Sequence, residues 1–575
     1  MAFLTHQTTV ISRYLQSLDL PVTFKGLDVQ TLIRQLGWAL FLKIFATYGA
    51  FKLLNFVYDE LTSPLRDLPG PPSKSFLYGN FKEIREGEIG RKQEEWAQKY
   101  GNTIMLRGIF GGPRLCTMDL KAMSHILTNN YIYQKSERTI YSLKRLMGEG
   151  VLAVEGDTHK RQRRILNPAF GPQQIRELTE IFVEKSLELR DSWNEEIAKQ
   201  TLDGRVKVDA LSWLSRATLD VIGLAGFNYR FDALSDGPGK NELSNAFASV
   251  FKAGSGVNII PLLRRRFKWL RWLPAESDAE VRTATATMKR IGNQILEDSK
   301  AALADGGHLK NAGNEKNLWQ SRNLLSLLVR ANTMPDLSEN QRLSDEDVLA
   351  QMSTFLVAGH ETTSTATTWA LFVLSQHPAI QSALRSELAT ISTDNPSMDD
   401  LSSLPYLDAV VRETLRLYPP VPSTARVAMQ DDVIPLATPF VDRKGVERNQ
   451  VHIRKGQVVL IPIVTINCAK LIWGEDAMEF KPERWANLSD TAGAVPGVWG
   501  NMMTFLGGPR ACIGYRFSLV EMKALLFTLI RAFEFELAVP AKDIIKRAGM
   551  VQRPVLMTDP EKSNQLPLFL RPVAQ

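Results

Sequence analysis

Residues 505–514 read FLGGPRACIG, and a helical pattern begins directly after them at Tyr515. Cys512 therefore lies just before a helix, where the positive helix end and the free backbone N–H groups favour a thiolate over a thiol. Gly508 and Gly514 allow the backbone to come close to the sulfur and to a flat ligand. One cysteine without a nearby histidine or second cysteine cannot build a tetrahedral zinc site, whereas a macrocycle with four nitrogens needs only one axial protein ligand. A haem-iron ligand at Cys512 therefore fits the segment, but a lone cysteine read by itself is more often an inert buried side chain.

The composition is that of a globular protein. Of the 575 residues, 44% are hydrophobic and 23% are charged, and a mean hydropathy of -0.14 excludes a polytopic membrane protein. The 3 cysteines are too few for a disulfide framework, which favours a reducing compartment. A formal net charge of +7 suits a nucleic acid, an anionic membrane surface or an acidic protein partner, and charge alone does not choose among them.

Residues 36–58 form a mostly apolar stretch that is long enough, as a helix, to cross a bilayer of about 30 Å. Lys43 and Lys52 interrupt this stretch on opposite faces, and both side chains can snorkel to the membrane surface. Fairly polar residues precede it, whereas a signal peptide begins with a short basic region. We therefore expect an uncleaved membrane anchor. A buried amphipathic helix of the soluble body is the alternative.

The proline-rich segment 68–72 follows the apolar stretch and is too stiff to be helical. It separates the N-terminal segment with its anchor, residues 1–65, from one large domain over residues 66–575. Helical patterns dominate this domain, so its predicted class is mainly α with small β-sheets (α+β). Strand-like runs are short, and we expect them at 103–107, 114–118, 457–463 and 567–570.

A long helical pattern runs from a cap at Ser344 to Gln376. Within it lies the segment 358–363, AGHETT, whose small residues permit close approach to a flat ligand. A threonine hydroxyl here can bond back to the preceding turn, so we expect the helix to open locally. Glu361 and Thr362 supply an acid and a hydroxyl, a pair that can relay protons to bound oxygen. Read alone, such a segment is more often plain packing.

The segment 505–514 resembles the haem loop of the cytochromes P-450, Phe-x-x-Gly-x-Arg-x-Cys-x-Gly, at all its fixed positions. Those positions are Phe505, Gly508, Arg510, Cys512 and Gly514. The resemblance implies the cytochrome P-450 fold and a bound haem b, with Cys512 as the axial ligand of the iron. It also implies that Arg510 meets a haem propionate and that Phe505 packs beside the ligand.

Two further motifs resemble the family's signatures. The segment 358–362 matches Ala-Gly-x-Asp/Glu-Thr, which implies catalytic roles for Thr362 and Glu361. Glu413 and Arg416 match Glu-x-x-Arg, and Arg484 belongs to a segment whose arginine completes a buried triad with that pair. The resemblance assigns these three residues to the core on the haem side, not to chemistry. Without it, a pair at this helical spacing is usually a solvated salt bridge.

Three more residues resemble family contacts to the haem propionates. His159 and Arg163 lie one helical turn apart on one face. The family has an aromatic residue or a histidine at the first position, most commonly a tryptophan, so His159 departs from the commoner pattern. Arg426 follows a proline turn and resembles another propionate contact, so that several donors would face two carboxylates. Without the resemblance, 159–163 reads as a basic exposed helix.

Residues 261–273 interleave five cations with aromatic residues and leucines. No nucleic-acid-binding fold accompanies this segment, so we expect no nucleic-acid partner. Its position resembles the family's substrate-entry region, which dips into lipid, and its composition suits a membrane interface. An apolar substrate would then enter from the membrane.

The resemblance implies a haem-dependent monooxygenase that inserts one oxygen atom from O2 into a hydrophobic small molecule. We expect a terpenoid or steroid-like secondary metabolite, or an aromatic xenobiotic. No phosphate-binding glycine motif is present in the sequence, so the chain should not bind NADPH itself. The electron donor implied is an NADPH-cytochrome P-450 reductase, with cytochrome b5 as a further candidate. The loops of this chain are most similar to those of fungal microsomal members of the family. This resemblance implies a location in the endoplasmic reticulum membrane, with the catalytic domain facing the cytosol.

Two alternatives remain open from the sequence. A haem-thiolate isomerase or dehydratase would use no external electrons, so a requirement for NADPH and a reductase separates it from a monooxygenase. A catalytically silent haem-binding or membrane-scaffold protein is the other, and a Thr362→Ala variant that leaves product formation unchanged would favour it.

Overall fold

The computed structural model describes most of the chain from residue 60 onward and isolated positions before it. Before residue 60 the described positions are 23–24, 27–28, 43, 46–51, 54 and 57–58. From residue 60 onward, the positions outside the description are 87–89, 109–110, 200–204, 237–239, 256–259, 261–263, 265–267, 276–277, 306–322, 333–341, 548, 560, 562 and 574–575.

The chain divides into two compact units, Met1–Arg66 and Asp67–Gln575. In the first unit, β1 (Thr23–Phe24) pairs antiparallel with β2 (Leu27–Asp28). Much of the predicted anchor at 36–58 lies outside the described residues. Among the helices that are described, none is long and apolar enough to cross a membrane. The anchor therefore stays a prediction.

Helices dominate the second unit, as the sequence predicts. In chain order they are α1 Phe81–Glu86, α2 Arg91–Tyr100, α3 Leu120–Thr128, α4 Glu137–Met147, α5 Gly156–Leu166, α6 Pro172–Lys199, α7 Ala210–Phe227, α8 Ala233–Asp236, α9 Glu242–Ser255, α10 Asp278–Asp305, α11 Leu324–Asn332, α12 Asp345–Gln376, α13 Pro378–Leu388, α14 Met398–Ser402, α15 Pro405–Leu417, α16 Ile463–Cys468, α17 Lys470–Trp473, α18 Asp490–Gly493 and α19 Tyr515–Ala532.

The strands of the second unit form small sheets. They are β3 Thr103–Arg107, β4 Pro113–Thr117, β5 Tyr133–Gln134, β6 Val206–Asp209, β7 Thr424–Ala428, β8 Asp432–Val441, β9 Glu447–Ile453, β10 Val458–Ile461, β11 Phe533–Leu537, β12 Ile544–Arg547, β13 Arg553–Leu556 and β14 Pro567–Pro572. The largest sheet has the order β3-β4-β10-β7-β5, in which β10 runs parallel to β4 and antiparallel to β7. Another sheet has the order β11-β14-β6, and β8-β9 and β12-β13 are two-stranded.

All four strand predictions are confirmed to within two residues at each end. β3 matches its predicted range, while β4, β10 and β14 differ slightly in their bounds. The sequence did not predict the hairpin of β8 and β9, because its strands are largely exposed on both faces and do not alternate cleanly. The site described below depends on β7 and β13 for two of its arginines.

The long helix α12 begins at the predicted cap. The Ser344 hydroxyl accepts a hydrogen bond from the Asp347 N–H, and the Asp347 carboxylate accepts one from the Ser344 N–H. The helix has 32 residues and ends before Pro378, whose ring cannot continue it. α12 packs against α7 and also contacts α15 and α19. It therefore runs through the interior of the domain and can hold a site in place.

Helix α19 follows the 505–514 segment directly and is among the most deeply buried helices described. Nearly every residue from Leu519 to Ile530 is buried, whichever side of the helix it lies on. A helix that is buried on all sides belongs to a core and not to a surface. Because α19 packs against α6 and α12, the loop that precedes it is attached to a rigid part of the domain.

Candidate active site

The cysteine loop is held by backbone contacts. The Cys512 N–H donates a 2.9 Å hydrogen bond to the Phe505 carbonyl oxygen, which closes the loop on itself. Gly508 has a φ of +67°, and a Cβ there would lie 2.5 Å from the Leu127 carbonyl oxygen at the end of α3. Only glycine fits that position, since the conformation and the close approach both exclude a side chain. The Phe505 ring packs on Tyr515 at 6.0 Å between centroids.

The electrostatics of the Cys512 thiol differ from the expectation. Part of the residue's surface is exposed. The protein atoms around its sulfur nevertheless shield the thiol from water, and this desolvation raises the pKa of the thiol. The Gly514 N–H and the Arg163 charge act in the expected direction and lower that pKa, but burial outweighs both. A helix start alone therefore does not make this sulfur a thiolate. A metal cation bonded to the sulfur would do so.

Three buried cations, Lys135, Arg426 and Arg510, lie near this loop, and two of them share one acid. Lys135, which directly follows β5, pairs with Glu155 at 3.2 Å, and Arg510 pairs with the same carboxylate. Burial first, and then the charges of Arg510 and Arg426, hold the pKa of Lys135 well below its usual range. Burial lowers the pKa of Arg510 to about 10. The cluster carries more positive than negative charge in a place with little water.

Arg426 on β7 is the extreme case in this cluster. Arg426 is 5% exposed, and among the described residues its guanidinium donates to the Thr424 hydroxyl and the Ala425 carbonyl oxygen. Burial lowers the pKa of Arg426 to about 10. No acidic side chain in the described part of the chain pairs with it. Uncompensated buried charge is costly, so the cluster fits a group that brings carboxylates, as the two propionates of haem would.

His159 and Arg163 lie on α5, next to the same cluster. His159 is buried, and burial, followed by the charges of Lys135 and Arg163, lowers its pKa to about 4. It is therefore a neutral hydrogen-bonding group near pH 7. Arg163 donates to the Ala511 carbonyl oxygen at 2.6 Å and to the Asn167 side chain at 2.9 Å. In this structure Arg163 supports the cysteine loop.

The middle of α12 carries the predicted acid and hydroxyl. The Thr362 hydroxyl donates a 2.6 Å hydrogen bond to the Ala358 carbonyl oxygen, as the sequence predicts. The expected opening of the helix is wrong, because α12 is continuous through these residues. The hydroxyl shares the carbonyl oxygen with the helix and does not displace the backbone bond. Glu361 forms an ion pair with Arg553 on β13, and the His360 ring lies 3.9 Å from the same carboxylate.

Glu413, Arg416 and Arg484 meet as one buried group. Arg416 holds the Glu413 carboxylate with two hydrogen bonds of 2.8 and 2.9 Å, and both side chains are 0% exposed. Arg484 reaches the same carboxylate at 3.3 Å, and the Trp485 indole N–H donates to it at 3.1 Å. The alternative of a solvated surface pair does not apply.

The sequence does not predict Lys135, Glu155 or Arg553 as residues of the site. Each belongs to a pair whose partner is distant in the chain, as in Arg510 with Glu155 and Arg553 with Glu361. No motif marks these three residues. The predicted roles of Cys512, Thr362, Glu361 and the propionate contacts remain predictions, which the arrangement above accommodates.

We expect Arg426→Gln to weaken haem binding. The variant removes one charge-assisted contact of about 1.5–3 kcal/mol, which is roughly ten- to a hundredfold in affinity. It also removes an unpaired buried charge, so the haem-free protein should not lose stability. Titration of haem into the apoprotein, followed by the Soret absorbance, measures the effect. The control is Arg230→Gln, since Arg230 is 71% exposed. Equal haem affinity for the two variants would refute a role of Arg426 in holding the cofactor.

Known proteins resemble this chain over nearly its whole length. A family model described as Cytochrome P450 matches residues 69–558. The chain is 52% identical over 526 residues to Cytochrome P450 monooxygenase 205 of Postia placenta, covering 91% of this chain and 96% of that protein. It is 51% identical over 529 residues to Cytochrome P450 monooxygenase 128 of the same fungus, with the same coverage. It is 35% identical over 556 residues to Ganoderic acid synthetase CYP5150L8 of Ganoderma lucidum, covering 91% of this chain and 98% of that protein.

Proposed function

This chain belongs to the cytochrome P450 monooxygenase family, and we propose that it inserts one oxygen atom from O2 into a hydrophobic terpenoid, steroid-like or aromatic molecule. The observation that carries the proposal is the buried cluster of Lys135, Arg426 and Arg510 beside the Cys512 loop, in which only Lys135 and Arg510 pair with Glu155. The relative named for ganoderic acid synthesis supports a fungal secondary metabolite as the substrate class.

The cofactor we propose is haem b, which, when bound, supplies the iron centre that binds and activates O2. Cys512 would hold the iron from one side, and its electron donation would set the reactivity of that centre. The cations of the cluster would hold the propionates by charge-assisted hydrogen bonds. Gly508 keeps the loop against α3, so the sulfur stays in one position.

Proton handling falls to the middle of α12. The Thr362 hydroxyl uses its hydrogen for the Ala358 carbonyl oxygen, which leaves its oxygen lone pairs available to accept a hydrogen bond from a bound ligand. Glu361 is held by Arg553, so its carboxylate must leave that ion pair before it can carry a proton to the site. These two residues would act in sequence, Glu361 as the proton carrier and Thr362 as the acceptor that orients the ligand.

The electron donor we propose is an NADPH-dependent, flavin-containing reductase, with cytochrome b5 as a second candidate. Three exposed cations support a docking surface on the cysteine side: Lys160 and Arg164 on α5, and Arg516 on α19. α5 contacts the cysteine loop through Arg163, and α19 begins where that loop ends. In the described part of the chain these three cations form no ion pair, so they can attract an acidic partner.

We also propose an anchor at 36–58 in the endoplasmic reticulum membrane, with the catalytic domain on the cytosolic side. The basic segment 261–273 supports this less than its composition suggests. Arg264 is paired with Asp278 at 2.6 Å, and both Lys268 and Arg271 pair with Glu137. These three cations are therefore occupied within the protein. Trp272, which is 75% exposed, is the better candidate for contact with lipid.

Co-expression of the full chain with a reductase tests the proposed function. From a panel of terpenoid and aromatic compounds, we expect products that are heavier than their substrates by one oxygen atom. These products should form only with NADPH, and they should contain 18O when the O2 is labelled. Thr362→Ala should lower product formation by about a hundredfold, since positioned proton-transfer groups contribute on that scale. The matched control, Thr393→Ala, changes an exposed threonine on the loop after α13.

Other outcomes would point elsewhere. A product isomeric with the substrate, formed without NADPH, would replace the monooxygenase with an isomerase. Unchanged product formation in Thr362→Ala would leave α12 without its proposed part in the reaction.

Slower turnover at high salt with a constant product distribution is expected for charge-steered docking of the reductase.

A further inference from the structure

Glu155 is an acid held among cations. It immediately precedes α5, and its side chain is 10% exposed. The Lys135 Nζ lies 3.2 Å from one oxygen of its carboxylate, and the Lys135 backbone N–H donates to the same oxygen at 3.2 Å. The Arg510 guanidinium pairs with the other oxygen. Donors from two distant parts of the chain therefore hold this carboxylate in one position.

Helix α5 and the residue before it fix this charge against the cysteine loop. At the start of the helix, Glu155 pairs with Arg510, which precedes Cys512 by two residues. In the last turn of the same helix, Arg163 donates to the Ala511 carbonyl oxygen at 2.6 Å. The negative charge of Glu155 therefore lies next to the residues that would hold the iron and the propionates.

Binding of the propionates does not explain an acid at this position. Arg426 and Arg510 are positively charged near pH 7, since burial lowers their pKa values only to about 10. In the described part of the chain, Glu155 is the one acid that pairs with a cation of this cluster. It would compete with the two propionates for Arg510 and Lys135. Its charge must therefore serve something other than cofactor retention.

We propose that the Glu155 carboxylate lowers the reduction potential of the haem iron, and so sets how strong an electron donor the protein needs. The step concerned is the transfer of one electron from the reductase, which takes the iron from ferric to ferrous. A fixed negative charge opposes this electron, and it does so more strongly where little water screens it. Glu155 is a positioning residue, because it acts through its charge and through Arg510. This role rests on the proposed function, since it requires bound haem.

The midpoint potential of the haem-loaded full chain measures this effect. We expect Glu155→Gln to shift the reduction equilibrium toward the ferrous state by about tenfold, which is about 59 mV for one electron. A unit charge about a dozen ångströms from a redox centre has an effect of that size inside a protein. Spectroelectrochemical titration at pH 7 without substrate, followed by the Soret band, gives the potential. Glu149→Gln is the control, because Glu149 also pairs with a lysine but is 63% exposed.

A cation of the same cluster provides a test of opposite sign. Arg426→Gln removes a buried positive charge, so we expect its haem-loaded fraction to have a lower midpoint potential than the wild type. Glu155→Gln/Arg426→Gln loses one charge of each sign and should return close to the wild-type value. Glu155→Asp, which keeps the negative charge, should also stay close to it. A general disturbance of the site would not produce this pattern of opposite shifts that cancel.

Two neutral replacements keep the test decisive. Glu155→Ser has a smaller side chain than Glu155→Gln, and both should raise the midpoint potential. Potentials equal to that of the wild type, or lower, would refute the role of the Glu155 charge. Loss of haem from both variants would also contradict it, because Glu155 would then serve to retain the cofactor. A wild-type chain that binds no haem would instead refute the proposed function.

Discussion

Replacing Arg416 with methionine should lower the free energy of unfolding by about 3–5 kcal/mol, because it leaves the Glu413 carboxylate buried without its main partner. Arg416 also donates to the Asn467 and Ala477 carbonyl oxygens at 2.9 and 2.6 Å. Those acceptors would lose their donor in the same variant. A loss of this size is a large part of the stability of a typical domain, which is about 5–15 kcal/mol.

The measurement is denaturant unfolding of the haem-loaded variant, or its soluble yield if the protein does not fold. Lys199→Met is a matched control, because Lys199 pairs with Glu196 at the same helical spacing but is 63% exposed. An exposed pair of this kind contributes little to stability. Similar losses in the two variants would mean that the Glu413 group is not structurally important.

Replacing Cys512 with serine should lower product formation by more than about a hundredfold. Serine is nearly isosteric, but its hydroxyl does not become an anionic ligand near pH 7, so the iron loses the donor that sets its reactivity. Haem content should fall less than activity, because under the proposed function Lys135, Arg426 and Arg510 would still hold the propionates. This separation between binding and activity distinguishes loss of the ligand from loss of the fold.

Haem content and product formation are measured on the same preparation. Cys468→Ser is the control, since burial raises the pKa of that thiol and the residue is enclosed in the core. If Cys512→Ser retained activity within a factor of a few, Cys512 would not be the axial ligand. If both cysteine variants lost activity together, misfolding would explain the result.

The features that the sequence predicts well are local. The cap at Ser344 depends on one residue three positions away, and the turn from Cys512 into α19 depends on adjacent glycines and a helical pattern. Strands β3 and β10 carry short apolar runs that can be read directly. In each case the determining interactions connect residues that are near one another in the chain.

The features that it does not predict depend on contacts across the chain. Glu361 was predicted as a proton carrier, but its ion pair with Arg553 spans 192 residues and leaves no local trace. The pKa of the Cys512 thiol is a second example. The helix start is visible in the sequence, whereas the desolvation that outweighs it comes from the tertiary structure.

His159 illustrates an intermediate case. The resemblance placed it beside a haem propionate, and the structure places it in the same buried region as Lys135 and Arg163. Its charge state follows from that burial and could not be read from the spacing of His159 and Arg163. The sequence predicts where such a residue lies, and the fold determines what it can do there.

Under the proposed function, the Cys512 sulfur binds haem iron as a thiolate. The most direct test is the absorption spectrum of the purified, reduced, haem-loaded chain under carbon monoxide. We expect the strongly red-shifted Soret band of a thiolate-ligated complex, and its loss in Cys512→Ser. A Soret band at the position typical of a neutral nitrogen ligand, or a red-shifted band that survives in Cys512→Ser, would contradict the claim.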